Sequence, residues 1–590
     1  MENTENTEMK SSDDVTRLKR YHVTFEVPDM YRMLLIGGIT LAITAGSATA
    51  DPETTAKARA IIDAHVKAIR PLEIISGKAW WDANTTGDKA AFQKKEDAQN
   101  RLDAALANAA TFAELKSLKD ATAKIDDKLV SRQIELLYLM YLEKQVDPAL
   151  LKQMTAKANA VEAKFNVYRA KVNGQELADS KVRELLKSST DSNLRKTVWE
   201  ASKGVGKDVE ADLKELVKLR NQAATQLGFK NFHAMMLFIN EQEGVELLKL
   251  FDELDELTRE PYAKAKAEID EKLAANAGVK VADLMPWHYH DSFFQESPAV
   301  FDVDLDQPFK TADILELCRK FYAGIDLPID DVIARSDLYE KKDKSPHAFC
   351  TDIDREGDVR VLANITATEY WASTMLHELG HAVYSSKNIP QTVPYVLRGE
   401  AHILTTEGVA MQFQKFSKSR AWLEKMGVKV ENPAAFDATS TKVLRNELLI
   451  FSRWCQVMLR FEKAMYENPD QDLNKLWWDY VEKYQLLKRP IGRSEPDYAS
   501  KIHICSAPVY YHNYMMGQLF ASQVHHTIAK ELYDGAAPSS VNYIGDKRVG
   551  GFMKAKIFEP GRTLNWRDLM KFATGAELSA KAFALDFQMK

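Results

Sequence analysis

Along most of the chain apolar residues recur at steps of three and four, the spacing of one face of a helix. From residue 52 to about 240 Ala, Lys, Glu and Leu dominate. Ile61, Ile62, His65, Val66 and Ile69 form one stripe; Ile134, Leu137, Tyr138, Tyr141 and Leu142 form a second. Leu213, Leu216, Val217 and Leu219 lead a third that ends near Gly228. Helical spacing continues over 241–279 and resumes after Phe309. Trp454, Phe461, Trp477 and Trp478 are expected core aromatics, and His65 and His233 ordinary helix histidines. No role is assigned to His525 or His526. Two stretches break the pattern. Residues 284–294 are aromatic, with a proline and two histidines, and fit a cleft wall and a packed turn equally. Runs 344–353 and 359–364 flank a turn containing Gly357 and predict a β-hairpin, the clearest β element of the chain. The expected fold is therefore mainly α with a small hairpin.

The hairpin leads into the stretch that carries candidate chemistry. Thr366 and Glu369 have the spacing of a capping box, predicting a helix through Trp371, Met375 and Val383 towards Pro390. On that helix His377 and His381, four apart, leave the same face, with Glu378 beside the first. Two imidazoles so placed can take two corners of a tetrahedral zinc, with a carboxylate in reach of the attacking water. After a loop with Pro394 and Gly399, Thr405 or Thr406 is expected to cap a second helix, placing Glu407 in its first turn. Glu407 is preferred as third ligand, and Glu400, on the loop after Gly399, is its rival. Residues 501–514 are rich in hydrogen-bond donors and are the expected source of groups that stabilise an oxyanion.

Composition narrows the class. With 590 residues, 45% hydrophobic and 28% charged, the chain is globular, and a net charge of −6 gives no case for nucleic-acid binding. Cys318, Cys350, Cys455 and Cys505 are widely spaced, which excludes zinc-ribbon and thioredoxin-like readings and leaves one or two disulfides open. Residues 33–46 are apolar and precede Ser-Ala-Thr-Ala50. Fourteen residues are short for a membrane span, so a leader over 1–50 with a signal peptide is expected. Its start is Met1, Met30 or Met33. A single catalytic domain over 51–590, periplasmic or secreted and without stable membrane association, would follow it.

With His377-Glu-Leu-Gly-His381, Glu407 and the segment from His503 to Tyr514 in view, the chain resembles the angiotensin-converting-enzyme family of peptidyl-dipeptidases. The related oligopeptidases that cut internally are next nearest. The resemblance implies a helical ellipsoid with a deep central cleft, one zinc ion and oligopeptide substrates. It implies His377, His381 and Glu407 as ligands, Glu378 as base, and His503 and Tyr514 (with Tyr511 behind it) as oxyanion donors. His347 and Ala348 would bind the substrate backbone, and Lys501 and Tyr510 its C-terminal carboxylate. Three rivals follow: a dipeptidyl carboxypeptidase, an internally cutting oligopeptidase, and an inactive peptide- or metal-binding homologue. The chain also departs from the family pattern. Met411 stands where an acidic partner of a zinc histidine is expected, so that hydrogen bond must come from elsewhere. Asn513 and Glu482 stand where basic chloride ligands are expected, which argues against chloride activation.

Overall fold

Four helices open the part of the chain described by the computed structural model, residues 50–301 and 304–587. They are α1 (Pro52–Thr86), α2 (Lys89–Leu106), α3 (Ala109–Asp120) and α4 (Lys128–Glu143). Each begins where Asp51, Asp88, Asn108 or Asp127 accepts first-turn backbone N–H groups, satisfying donors that a helix leaves unpaired. Ile61, Ile62 and Ile69 meet Ile134, Leu137 and Tyr141 in a core of their own, closed by Val396. His65 is buried there, its Nδ1 3.2 Å from the Tyr141 hydroxyl. The leader reading, with its apolar run 33–46, lies outside the described residues.

A short hairpin, β1 (Ala170–Val172) and β2 (Gln175–Leu177), turns at Asn173 and Gly174, both at positive φ. The helical reading of 52–240 passed over it, because three-residue strands leave too little alternation to detect. Beyond it, α5 (Val205–Gln226) carries the third predicted stripe, with Leu213, Leu216 and Val217 buried. Helix α6 (Gly244–Ala277) follows. The predicted hairpin is present as β3 (Phe349–Asp352) and β4 (Val359–Leu362), antiparallel, with Phe349 opposite Leu362 and Asp352 opposite Val359. Strand β4 is bridged on its far side by Asp337. The other edge of β3 has no strand beside it among the described residues.

The next two helices form as expected but start differently. Helix α7 (Glu369–Val383) is capped by Thr368, not Thr366: the Thr368 hydroxyl accepts from the Trp371 N–H at 3.3 Å. Glu369 accepts from the Ser417 hydroxyl and pairs with Lys418 instead of closing a capping box. The helix ends at Val383, seven residues before Pro390. Helix α8 (Ile403–Gln414) is capped by His402, whose Nδ1 accepts from the Leu404 N–H at 3.0 Å, so Glu407 falls in the second turn. Three elements complete the frame: α9 (Pro433–Glu467), the short α10 (Ile502–Ser506) and α11 (His512–Leu532).

Helices α7, α8 and α11 cross at glycines. A Cβ on Gly380 would lie 2.8 Å from the Ala410 Cα, and one on Gly408 would lie 2.7 Å from the Gly517 carbonyl oxygen. A Cβ on Gly517 would lie 3.0 Å from the Glu407 Cβ. Any side chain there would push the ligand-bearing helices apart. The Tyr322 hydroxyl donates to the Leu376 carbonyl at 2.6 Å and fastens α7 from behind. All four cysteines are unpaired. Among the described residues no helix is long and apolar enough to cross a membrane.

Candidate metal centre and peptide site

One turn apart on α7, His377 and His381 bring their Nε2 atoms to 3.1 Å, and the Glu407 Oε2 lies 3.6 and 3.9 Å from them. The three groups converge within 4.8 Å of one another. Glu400 is not part of this group; its backbone carbonyl accepts from Arg562 Nε at 3.0 Å. The structure thus selects Glu407 over its rival. On the far side of the rings, His377 Nδ1 lies 2.6 Å from Gln414 Oε1, and His381 Nδ1 lies 2.7 Å from the Thr406 hydroxyl. A proton on His377 Nδ1, donated to Gln414, leaves Nε2 a free lone pair. The orienting partner missing at Met411 is therefore Gln414, one turn further along α8, and both orienting groups are uncharged.

Burial governs the charges at this site. It holds His377 down at about 4 and pushes Glu407 up to about 7. Glu378 is pushed up to about 8, by burial first and by the nearby Glu407 second; the Cys350 backbone N–H on β3 opposes that rise. Two neutral imidazoles and a carboxylate aimed at one point lack a positive centre, and a divalent zinc fits that donor set in type and number.

Glu378 lies against β3, whose free edge can pair with an extended peptide. His347 and Ala348 are placed just before the strand and not on it; His347 is exposed and Ala348 half-buried. His503 is on α10, its buried Nδ1 without a partner among the described residues and its ring 5.2 Å from that of Tyr511. Tyr514 is on the first turn of α11, its ring 5.2 Å from that of Tyr510 and 5.4 Å from that of Tyr511. Glu407 acts on both Tyr510 and Tyr514, so these two hydroxyls share the metal-ligand side of the site. Lys501 lies elsewhere, enclosed by Phe293, Trp454 and Tyr511, each ring centroid 5.2 to 5.4 Å from its Nζ. The ring beside Lys501 is thus Tyr511, and Tyr510 pairs with Tyr514 instead.

Sequence reasoning missed Gln295, whose Oε1 accepts from Lys501 Nζ at 2.6 Å. It is delivered by the aromatic segment 284–294, which the structure resolves as a packed turn: Trp287, His288, Tyr289 and Phe294 are buried. His290 and Phe294 take positive φ, and the carboxylate of the half-buried Asp291 accepts the N–H groups of Phe293, Gln295 and Glu296. An Asp that precedes the N–H groups donating to it marks such a turn, but nothing in it announces a partner 206 residues away. Asn513 accepts from Gln242 at 2.7 Å and the exposed Glu482 accepts from the Arg489 N–H, so neither position offers a positive charge.

A family model described as angiotensin-converting enzyme matches residues 52–291 and 294–588. The chain belongs to the angiotensin-converting enzyme family of metallopeptidases. Individual relatives are distant. The angiotensin-converting enzyme-like protein Ace3 of Mus musculus is 22% identical over 443 residues, covering 69% of this chain and 59% of its own length. The angiotensin-converting enzyme of Theromyzon tessulatum is 20% identical over 439 residues, covering 68% and 70%. That of Mesocricetus auratus is 22% identical over 417 residues, covering 65% of this chain and 31% of its own length. The chain thus spans from 31% to 70% of the length of these relatives.

Proposed function

We propose that this member of the family is a zinc-dependent peptidyl-dipeptidase that releases dipeptides from the C-terminus of oligopeptides, in the periplasm or after secretion. The observation that carries the reading is the convergence of His377, His381 and Glu407 beside a carboxylate, Glu378, that faces a free strand edge. Zinc held by the three ligands would supply Lewis acidity, acidifying water and polarising the scissile carbonyl.

The chain's own groups do the rest. A substrate lies extended along β3, with the backbone of Ala348 and its neighbours as partners. Glu378 takes a proton from the attacking water and returns it to the leaving amine; its raised affinity for protons suits a group that must both accept and release one near neutral pH. Tyr514 and His503 donate to the carbonyl oxygen as it gains charge. Lys501 and Gln295, with Tyr511 alongside, hold the terminal carboxylate, and that anchor fixes how far from the end the chain is cut.

Mass spectrometry of products from a peptide mixture, with and without a chelator, tests the reading. C-terminal dipeptides that disappear on chelation are expected. Internal fragments, or equal cleavage of C-terminally amidated peptides, would favour the oligopeptidase. Glu378→Gln is expected to keep its zinc and lose about 10²–10⁴-fold in kcat; unchanged behaviour would favour a binding protein.

A further inference from the structure

Between α10 and α11 the chain turns at Pro508 and Val509, and Val509 has φ +56°. A proline followed by a left-handed residue is the pattern of a type II turn, whose third position ordinarily takes glycine. A β-branched residue there is strained, and such strain persists only where the surroundings impose it. The turn is buried, with Val509 only 4% exposed. The group that meets it is Glu462 of α9, 2% exposed, whose Oε1 accepts the Val509 N–H at 3.0 Å. Arg220 of α5 secures the other end of the segment: it donates to the Cys505 carbonyl at 3.0 Å and to the Tyr466 hydroxyl at 3.2 Å. The mechanism uses none of these three residues. Yet the five residues from Ala507 to Tyr511 link His503 and Lys501 to Tyr510, Tyr511 and Tyr514. The ring of Tyr511 rests 5.2 Å from that of His503.

We infer that Glu462 is a positioning residue for the proposed reaction: by holding the N–H of Val509 it keeps the turn in its left-handed form and aims the tyrosines at the site. The inference rests on the peptidase reading for its effect on rate, but not for its effect on the tyrosines. An acceptor is what the contact requires. Burial pushes the Glu462 carboxyl up to about 8, and either protonation state can accept the N–H.

Three variants separate positioning from plain structural support. Glu462→Met is expected to lower kcat/KM about tenfold to a hundredfold, the scale of a misplaced reacting geometry, at unchanged zinc content. Glu462→Gln, which keeps an acceptor, is expected to stay within about threefold of the unsubstituted protein. In a Val509→Gly background, where the left-handed turn needs no support, Glu462→Met is expected to cost less than about threefold. Nitration by tetranitromethane, mapped by mass spectrometry, reads the same geometry without activity: Tyr511 becomes several-fold more reactive in Glu462→Met and returns to its protected state with Val509→Gly. Equal losses in the Gln and Met variants, no rescue by glycine, or unchanged nitration would overturn the inference. If Glu462→Met does not fold, amide exchange at Val509 decides: it should be slow, and the rate of an open turn would be fatal. The expected nitration pattern without peptide hydrolysis in any variant would sink the peptidase reading and leave the positioning intact.

Discussion

The candidate metal-binding crossing and the proposed carboxylate grip are built in opposite ways. At the crossing, two candidate ligands come from one helix a turn apart, and the third sits on a helix packed against it at Gly380. At the grip, Lys501 and Gln295 come from segments 206 residues apart, each set by a loop with left-handed residues: His290 and Phe294 on one side, Val509 on the other. Helices fix the positions of the three candidate metal ligands, where small errors are most costly. Loops held by the carboxylates of the half-buried Asp291 and the buried Glu462 carry the groups proposed to hold the substrate's end. On that proposal the chemistry is set by helix packing and the substrate length by loops.

The largest test of that contrast sits where the halves meet. Tyr514→Phe removes an oxyanion donor and is expected to lower kcat about 10²–10³-fold with little change in KM, measured by steady-state kinetics. Lys501→Met should act differently, lowering kcat/KM about 10–100-fold for peptides with a free C-terminus, the scale of a charged hydrogen bond, and sparing amidated ones. The grip also titrates. Burial brings Lys501 down to about 8, so kcat/KM for free-carboxylate substrates should fall as pH rises through that value and the ammonium loses its proton. A loss equal for amidated peptides would merge the two regions into one. Gln414→Ala leaves His377 without its orienting acceptor and is expected to weaken zinc about tenfold by chelator competition, with activity restored at saturating zinc.

The smallest effect belongs to the helix carrying Glu407. His402 caps α8 only while Nδ1 is unprotonated, and burial holds it down at about 4, against about 6.5 in the unfolded chain. A depressed folded value means that the stabilisation is complete above about 6.5 and is lost as pH falls towards 4. The cap contributes about 1 kcal/mol. The urea midpoints at pH 7 and pH 5 should therefore lie closer together in His402→Asn, a cap that does not titrate in that range, than in the unsubstituted protein.

Residue by residue, legibility followed range. The His377–His381 pair, the stripes of α1, α4 and α5 and the hairpin before α7 depend on neighbours within a few positions, and periodicity exposes them. Caps were less legible because several Thr and His residues competed for each helix start. Thr368 displaced Thr366 and His402 displaced Thr405 through backbone geometry that composition does not encode. Tyr511 beside Lys501, Gln414 behind His377 and Gln295 at the grip depend on contacts between distant segments, and no local pattern marks them.

By itself the amino-acid order determined a mainly helical chain, a short hairpin, and a helix whose one face presents two imidazoles and an adjacent carboxylate. Those properties are set by the pitch of the helix and the pleat of the strand, which every segment carries with it. Only the folded packing decided that Glu407 and not Glu400 completes the metal site, that uncharged groups orient both histidines, and which tyrosine stands beside Lys501. Each of those outcomes depends on how closely three helices approach and on how one strained turn is held, quantities that exist only once the distant segments have met.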